Sequence, residues 1–267
     1  MECVGPVTMK HITSRENPTF KELKSLAEDI REQRRQGRTL LDGIHLVAAY
    51  CDKVGLPEQL IVSEHGAAQQ EIQSLRGMFS DDEILLLRDG LFRDLSDLAN
   101  PTGVCAVIRI PASPSADISG SCILLDAVQD PGNIGSVLRT AAAAGIADVF
   151  LGPGCAGVWS PRVLRAAQGA HFDLRLRERA DLLEIAESYS GSTIAAMADA
   201  GEPLYEQDLT GNVAWLFGSE GGGLSPRLAA AARKRMHIPM APGSESLNVA
   251  AAAAICLFEE VRQKRNL

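Results

Sequence analysis

The chain has 267 residues, of which 46% are hydrophobic and 22% charged, and its formal net charge is −8. This composition is ordinary for a globular protein with room for two modest domains, and the acidic balance excludes a protein that coats nucleic acid by charge alone. The apolar runs are too short to span a membrane, and the sequence shows no signal-peptide pattern. We therefore expect a cytoplasmic protein without membrane contact. Six cysteines without C-x-x-C spacing and five scattered histidines favour reduced thiols and no metal site.

Residues 1–112 alternate short helical and strand patterns. A tail is expected over 1–15. A basic amphipathic helix is then predicted from Asn17 to Gln36, because apolar residues recur there at spacings of three and four. Strands are predicted at 39–41, 58–63, 83–87 and 104–110, with helices between them. This alternation predicts a small four-stranded α/β domain.

Residues 113–120 are low in apolar content, contain Pro114 and three serines, and are predicted to be a linker to a second domain over 121–267. The second domain also alternates. Its predicted strands lie at 122–126, 148–151, 172–176, 193–197, 213–217 and 236–238, and its predicted helices at 134–144, 161–168, 180–189, 225–233 and 248–262. Several of the strands are continuous apolar runs, which is typical of a parallel sheet covered on both faces.

Three loops that follow strands of the second domain carry unusual polar residues. The first has Asn133, which we place as a helix N-cap, with Gly135 and Arg139 four apart on one helical face. The second is the glycine-rich run 217–223 with Glu220. The third, 238–249, carries Ser246 and Asn248 at the start of an alanine-rich helix. Because ligands bind beyond the carboxyl ends of parallel strands, the three loops predict one site.

The residue types in these loops narrow the chemistry. The glycine-rich loop lacks the lysine of a phosphate-binding P-loop and does not follow the dinucleotide fingerprint. No histidine or cysteine is present that could act as a nucleophile with its base, so a Ser-His-Asp hydrolase is disfavoured. Taken one at a time, each loop also fits an ordinary strand-to-helix connection.

Taken together, N-x-G-x-x-x-R (133–139), F-G-S-E-G (217–221) and I-P-M…S-L-N-V (238–249) resemble the three signature motifs of the SpoU/TrmH family. Members are S-adenosylmethionine-dependent RNA 2′-O-ribose methyltransferases of the SPOUT class. The segments around 14–23 and 41–47 resemble the substrate-binding domain of that family, which is similar to ribosomal protein L30e. The resemblance implies an α/β fold with a deep trefoil knot in the second domain, an RNA substrate and a homodimer formed through that domain.

The resemblance also implies roles for individual residues. Residues at the cofactor would be Met197, Gly218, Ile238, Met240 and Leu247. Arg139 would act on the ribose 2′-hydroxyl, while the residues that order the catalytic site would be Asn133, Glu220, Ser246 and Asn248. Pro242 and Ala250 depart from the residues that many relatives have there, glycine and serine, without touching the residues named.

RNA contacts are expected in the first domain. Residues 10–38 hold eight Lys/Arg against five Asp/Glu, and residues 162–179 hold five arginines against two acids. Such clusters suit phosphates, although solvated helix faces have the same composition. The RNA-binding candidates are Arg15, Lys21, Arg31, Arg34 and Arg35.

The substrate expected from these features is ribosomal RNA of the 23S type, rather than tRNA. Two alternatives stay open at this point: an RNA-binding protein that has lost turnover, and a related SPOUT enzyme that methylates a base nitrogen.

Overall fold

A computed structural model describes residues 9–112 and 118–265. The chain forms two compact units. The first comprises Met1–Pro111 with Trp159–Phe172, and the second comprises Ala112–Val158 with Asp173–Leu267. Residues 113–117 of the expected linker lie outside the described residues.

The first unit is built on a five-stranded sheet of order β1-β4-β3-β5-β2. The strands β1, β4 and β3 run parallel, while β5 pairs antiparallel with β3 and β2. The strands are β1 (Lys10–Ile12), β2 (Arg38–Asp42), β3 (Gln59–Ser63), β4 (Ile84–Leu87) and β5 (Val104–Arg109). Its helices are α1 (Pro18–Glu28), α2 (Ile30–Gln36), α3 (Ile44–Lys53), α4 (Gln70–Arg76), α5 (Asp89–Leu95) and, from the later segment, α7 (Pro161–Ala167).

Two expectations for the first unit were wrong. The predicted tail contains β1, a three-residue strand too short to show a periodic pattern, which pairs with Leu85–Leu87 and buries Ile12. The predicted single helix is broken at Asp29, which is extended (φ −115°, ψ 106°). The Asp29 carboxylate accepts a hydrogen bond from the Arg31 amide at 2.8 Å and so caps a new helix.

The second unit is built on a seven-stranded sheet of order β10-β12-β9-β11-β6-β7-β8, and every pair in it is parallel. The strands are β6 (Cys122–Asp126), β7 (Asp148–Leu151), β8 (Arg175–Glu178), β9 (Ser192–Met197), β10 (Glu202–Pro203), β11 (Val213–Gly218) and β12 (Lys234–His237). The helices are α6 (Pro131–Ala144), α8 (Leu182–Ser188), α9 (Pro226–Ala231) and α10 (Val249–Lys264). The predicted parallel α/β architecture is confirmed, while the trefoil knot stays a prediction.

Details of the second unit differ from the sequence pattern. The strand expected at 172–176 lies at Arg175–Glu178, because residues 170–173 form a short 3₁₀ turn. The helix expected to reach residue 233 ends at Ala231, and β12 begins three residues later. The predicted helix 161–168 ends at Ala167 and belongs to the first unit, not to the expected second domain. In the described part of the chain, no helix is long and apolar enough to cross a membrane.

Candidate functional site

The three motif loops follow β6, β11 and β12 at the carboxyl end of the second sheet. β6 and β11 are neighbours, and β9 lies between β11 and β12. Because all these strands are parallel, the loops meet at the same end of the sheet.

A cavity of about 200 Å³ lies at this end of the sheet. All five cofactor candidates line it, together with Glu220 and Ser246. The lining also includes three motif residues to which no role was assigned, Phe217, Ser219 and Val249, and residues outside the motifs, among them Ala196, Met236 and Ala252. Ala196 and Met236 are apolar strand residues and Ala252 is one of several alanines in α10, so the sequence marks these three only as core.

The glycine-rich loop folds back on itself as it leaves β11. The Ser219 amide donates to the Gly223 carbonyl at 3.2 Å, and the Gly223 amide donates to the Ser219 carbonyl at 2.9 Å. A Cβ atom on Gly218 would lie 2.0 Å from the Gly223 carbonyl carbon. The close approach of the two chain segments therefore requires glycine at position 218.

Side chains from all three loops form one chain of hydrogen bonds. The Asn133 amide donates to the Glu220 carboxylate, and the Asn248 amide donates to Asn133 Oδ1 at 2.8 Å. Asn248 Oδ1 in turn accepts from the Ala250 amide at 3.0 Å and caps α10. Three of the catalytic candidates are thus brought together by direct contact.

The predicted N-cap of α6 was wrong. Asp130, not Asn133, caps this helix, and its carboxylate accepts from the Asn133 amide at 2.7 Å. Pro131 occupies the first helical position, where its missing N–H is not needed. Asn133 is therefore the third residue of the helix, and its side chain is not used for capping and bonds to Glu220 and Asn248 instead.

Arg139 lies apart from this network. It is exposed on α6 and does not line the cavity, and it makes no ion pair or hydrogen bond through its side chain with the described residues. The structure thus leaves its guanidinium free for a partner outside this chain.

The RNA-binding candidates lie on the surface of the first unit, and most have an acidic neighbour. Arg15 pairs with Asp94 at 2.6 Å, Lys21 pairs with Glu16 at 2.5 Å, and Arg35 pairs with Glu32. Hydrogen bonds from Arg35 and Gln36 lower the pKa of Glu32 to about 2. Arg31 and Arg34 are exposed. Exposed pairs are worth only about 0–1 kcal/mol, so a phosphate can replace the carboxylate.

The second basic cluster, 162–179, is divided between the units. In the first unit Arg162 pairs with Asp97 at 2.8 Å. In the second unit Arg175 binds the buried Asp148 at 2.5 Å, and the Arg177 guanidinium lies 5.0 Å from the centre of the Phe150 ring. These arginines contact residues of their own unit. A role in stabilising the fold is therefore favoured over phosphate binding for this cluster.

The cavity fits the cofactor that the sequence motifs imply. Its apolar side chains offer a surface for an adenine ring, Ser246 contributes a hydroxyl, and Glu220 contributes a carboxylate. Among the described residues, no group of three His, Cys, Asp or Glu is placed to hold a metal ion.

Comparisons with known proteins agree with this geometry. The sequence model of the SpoU rRNA Methylase family matches residues 120–258, and that of the MRM3-like substrate binding domain matches residues 17–106. An uncharacterized tRNA/rRNA methyltransferase of Synechocystis sp. is 33% identical, and the alignment covers 95% of this chain and 94% of that protein.

Two further relatives carry more specific descriptions. RlmP of Bacillus subtilis, a 23S rRNA (guanosine(2553)-2′-O)-methyltransferase, is 30% identical over 94% of this chain and 98% of its own. The crystal structure of an AdoMet-bound rRNA methyltransferase from Sinorhizobium meliloti superposes with a TM-score of 0.81 at 25% identity, covering 97% of this chain and 98% of that one.

Proposed function

This chain belongs to the SpoU rRNA Methylase family, and from that premise we propose that it transfers a methyl group from S-adenosylmethionine to a ribose 2′-hydroxyl of ribosomal RNA. The observation that carries the proposal is the cavity at the carboxyl end of the second sheet, where three motif loops meet and Asn248, Asn133 and Glu220 bond to one another. The family membership supplies the reaction class, and the cavity supplies the place for it.

Cofactor binding is assigned to Met197, Gly218, Ile238, Met240 and Leu247. S-adenosylmethionine, when bound, supplies a methyl group already activated on a sulfonium. The remaining task of the protein is to hold a weakly acidic hydroxyl close to that methyl and to exclude water, and positioning of this kind can contribute about 7–11 kcal/mol. The Asn248–Asn133–Glu220 chain fixes the three loops relative to one another, and Ser246 lies at the mouth of the same cavity.

Arg139 is assigned to the RNA rather than to the cofactor. A free guanidinium is a poor base because its pKa lies above about 12, so binding of the neighbouring phosphate and the 2′-hydroxyl is the role that suits it. Arg139→Lys keeps the charge but loses the planar fork, and we expect turnover to fall about tenfold or more with cofactor affinity unchanged. Near-full turnover of this variant on its RNA would contradict the assignment.

Ribosomal RNA is favoured as substrate by the family itself and by the 23S rRNA specificity of the Bacillus subtilis relative. The test is to map 2′-O-methyl groups in RNA from cells with and without the protein. A 2′-O-methyl group that disappears from ribosomal RNA supports the proposal; one lost only from tRNA, or a methyl group on a base nitrogen, contradicts it. A cytoplasmic location is also our proposal and rests on this substrate.

RNA capture is assigned to the surface of the first unit, at Arg15, Lys21 and the arginines of α2. The match of residues 17–106 to a substrate binding domain supports this placement. Neutralising Arg31, Arg34 and Arg35 together should weaken RNA binding and flatten the dependence of log K on log salt by about 2 units. Calorimetry with S-adenosylmethionine on the same variant is the control, since cofactor affinity should not change.

A homodimer formed through the second unit is part of the proposal. The helices α6 and α10 pack against each other, and the residues exposed on them include apolar ones. Phe258 is 48% exposed, and Ala143 and Ala251 are exposed as well. Exposed apolar side chains on paired helices suit a twofold interface. Sedimentation should give a dimer for the wild type and a monomer for Phe258→Asp; a monomeric wild type would contradict the proposal.

A further inference from the structure

Asp126 is the last residue of β6; it lies beside the start of the glycine-rich loop and bonds to the residue at the end of that loop. Asp126 is in register with Gly218, the residue at which β11 ends and the loop begins. The Asp126 carboxylate accepts a hydrogen bond from the Ser225 amide at 2.7 Å, at the point where the loop enters α9. One residue of the neighbouring strand therefore contacts both ends of the loop.

The hydrogen bonds within the loop, between Ser219 and Gly223, set its shape but do not tie its far end to the sheet. Three consecutive glycines, Gly221–Gly223, are exposed, and glycine loses more conformational freedom on ordering than any other residue. The side chain of Leu224 is buried, but an apolar contact does not specify direction as a hydrogen bond does. Glu220, which bonds to Asn133, sits at the exposed tip of this loop.

We propose that Asp126 is a positioning residue for the methyl-donor site: its carboxylate closes the glycine-rich loop and thereby holds the Gly218–Glu220 wall of the cavity in its binding geometry. This inference rests on the proposed function, because it concerns the same cavity. The bond required is one accepted hydrogen bond, not the negative charge. An asparagine oxygen can take its place, whereas an alanine cannot.

The test is calorimetry with S-adenosylmethionine on four variants, followed by methyl transfer to ribosomal RNA. Asp126→Ala should weaken cofactor binding about tenfold, the effect of one well-placed hydrogen bond. Asp126→Asn should stay within about twofold of the wild type. Ser225→Pro removes the donor instead of the acceptor; the Ser225 φ of −58° suits proline, and its side chain makes no capping bond, so this variant should reproduce the alanine effect.

The matched control is Asp181→Ala. Asp181 also accepts backbone amides at a helix start in the second unit, from Leu183 and Glu184 at 3.1 Å, but its helix α8 does not line the cavity. Its loss should lower the melting temperature about as much as Asp126→Ala does, with cofactor affinity within about twofold of the wild type.

The outcomes separate the two proposals. A wild-type protein that does not bind S-adenosylmethionine overturns the proposed function, and the role of Asp126 with it. A wild type that binds, with Asp126→Ala and Ser225→Pro binding equally well, overturns only the role of Asp126. If Asp126→Asn is as weak as the alanine variant, charge rather than the hydrogen bond is responsible and the positioning role is wrong. Should Asp126→Ala fail to fold, Ser225→Pro decides.

Discussion

The two ends of the seven-stranded sheet each hold a cavity, and the two cavities differ in how their polar groups are used. The cavity at the carboxyl end measures about 200 Å³, and the one at the amino end, lined by Ser121, Arg175, Asn212, Glu260 and Lys264 among others, about 270 Å³. Size alone would select the amino end as the binding site.

At the amino end the charged groups are already paired with one another. Glu260, 2% exposed, accepts hydrogen bonds from the Trp215 indole at 2.5 Å and from Ser121, and it pairs with Lys264 at 2.7 Å. Asp148 is likewise held by Arg175. These bonds join α10 and β8 to the strands between them, so this cavity serves the fold.

At the carboxyl end, the polar side chains are fewer. Ser246 is exposed and bonds to no described residue through its side chain, the backbone runs close to the cavity at Gly218, and the bond of Glu220 joins two loops to each other. The comparison indicates that polar groups without an internal hydrogen-bond partner, rather than the cavity volume, distinguish a ligand site from a structural one.

The largest effect is expected at the amino end. Glu260→Ala leaves the buried Trp215 and Ser121 donors and the Lys264 ammonium without their acceptor, and should lower the free energy of unfolding by about 3 kcal/mol. Urea denaturation measures this. If the groups at the amino end only stabilise the fold, the folded fraction of this variant should bind S-adenosylmethionine as tightly as the wild type does. A tenfold loss of cofactor affinity would contradict the assignment of different roles to the two cavities.

The next effect concerns the carboxyl end. Gly218→Ala places a Cβ atom 2.0 Å from the Gly223 carbonyl carbon, so the loop must move, and cofactor affinity should fall about tenfold or more. The matched control is Gly221→Ala, in the same loop, where an added Cβ meets no atom within 4 Å. Calorimetry on both variants checks the prediction, and equal affinities would show that the loop does not bind the cofactor.

Substitution of Asn133 should change the stability little but should clearly lower the rate of methyl transfer. Asn133→Ala breaks the link between Glu220 and Asn248 and should lower turnover about tenfold, while the free energy of unfolding changes by less than about 0.5 kcal/mol. Ser136→Ala, on the same helix one turn later and exposed, is the control. A stability loss as large as that of Glu260→Ala would place Asn133 among the structural groups instead.

The smallest effect is a pH dependence of the free energy of unfolding, caused by Glu259 near the C-terminal end of α10. A hydrogen bond from Arg262 holds the pKa of Glu259 below its usual value. A lowered folded pKa stabilises the protein above the unfolded pKa of about 4.3, and this contribution is lost as pH falls through the folded value. Glu259→Gln should therefore be less stable than the wild type at pH 7, and the difference should vanish in acid, with cofactor affinity unchanged throughout.

Sequence patterns predicted which loops form the site. They did not predict which side chains hydrogen-bond to one another there. The cofactor candidates line one cavity because each stands at the end of a strand of one parallel sheet or in the loop that follows β12. The choice of Asp130 over Asn133 as cap could not be read, because both are good caps three residues apart. The bond from Asp126 to Ser225 joins residues 99 apart in the chain, and no local pattern encodes it.

The segment Trp159–Phe172 has a consequence for dividing this protein. It lies in the later half of the chain but packs with the first unit, where the Thr39 hydroxyl donates to the Trp159 carbonyl at 2.7 Å and Phe172 meets the Tyr50 ring edge-on at 5.2 Å. A single cut near residue 112 therefore gives two fragments that are both damaged: one lacks a helix of its core, and the other carries that helix with its apolar side uncovered.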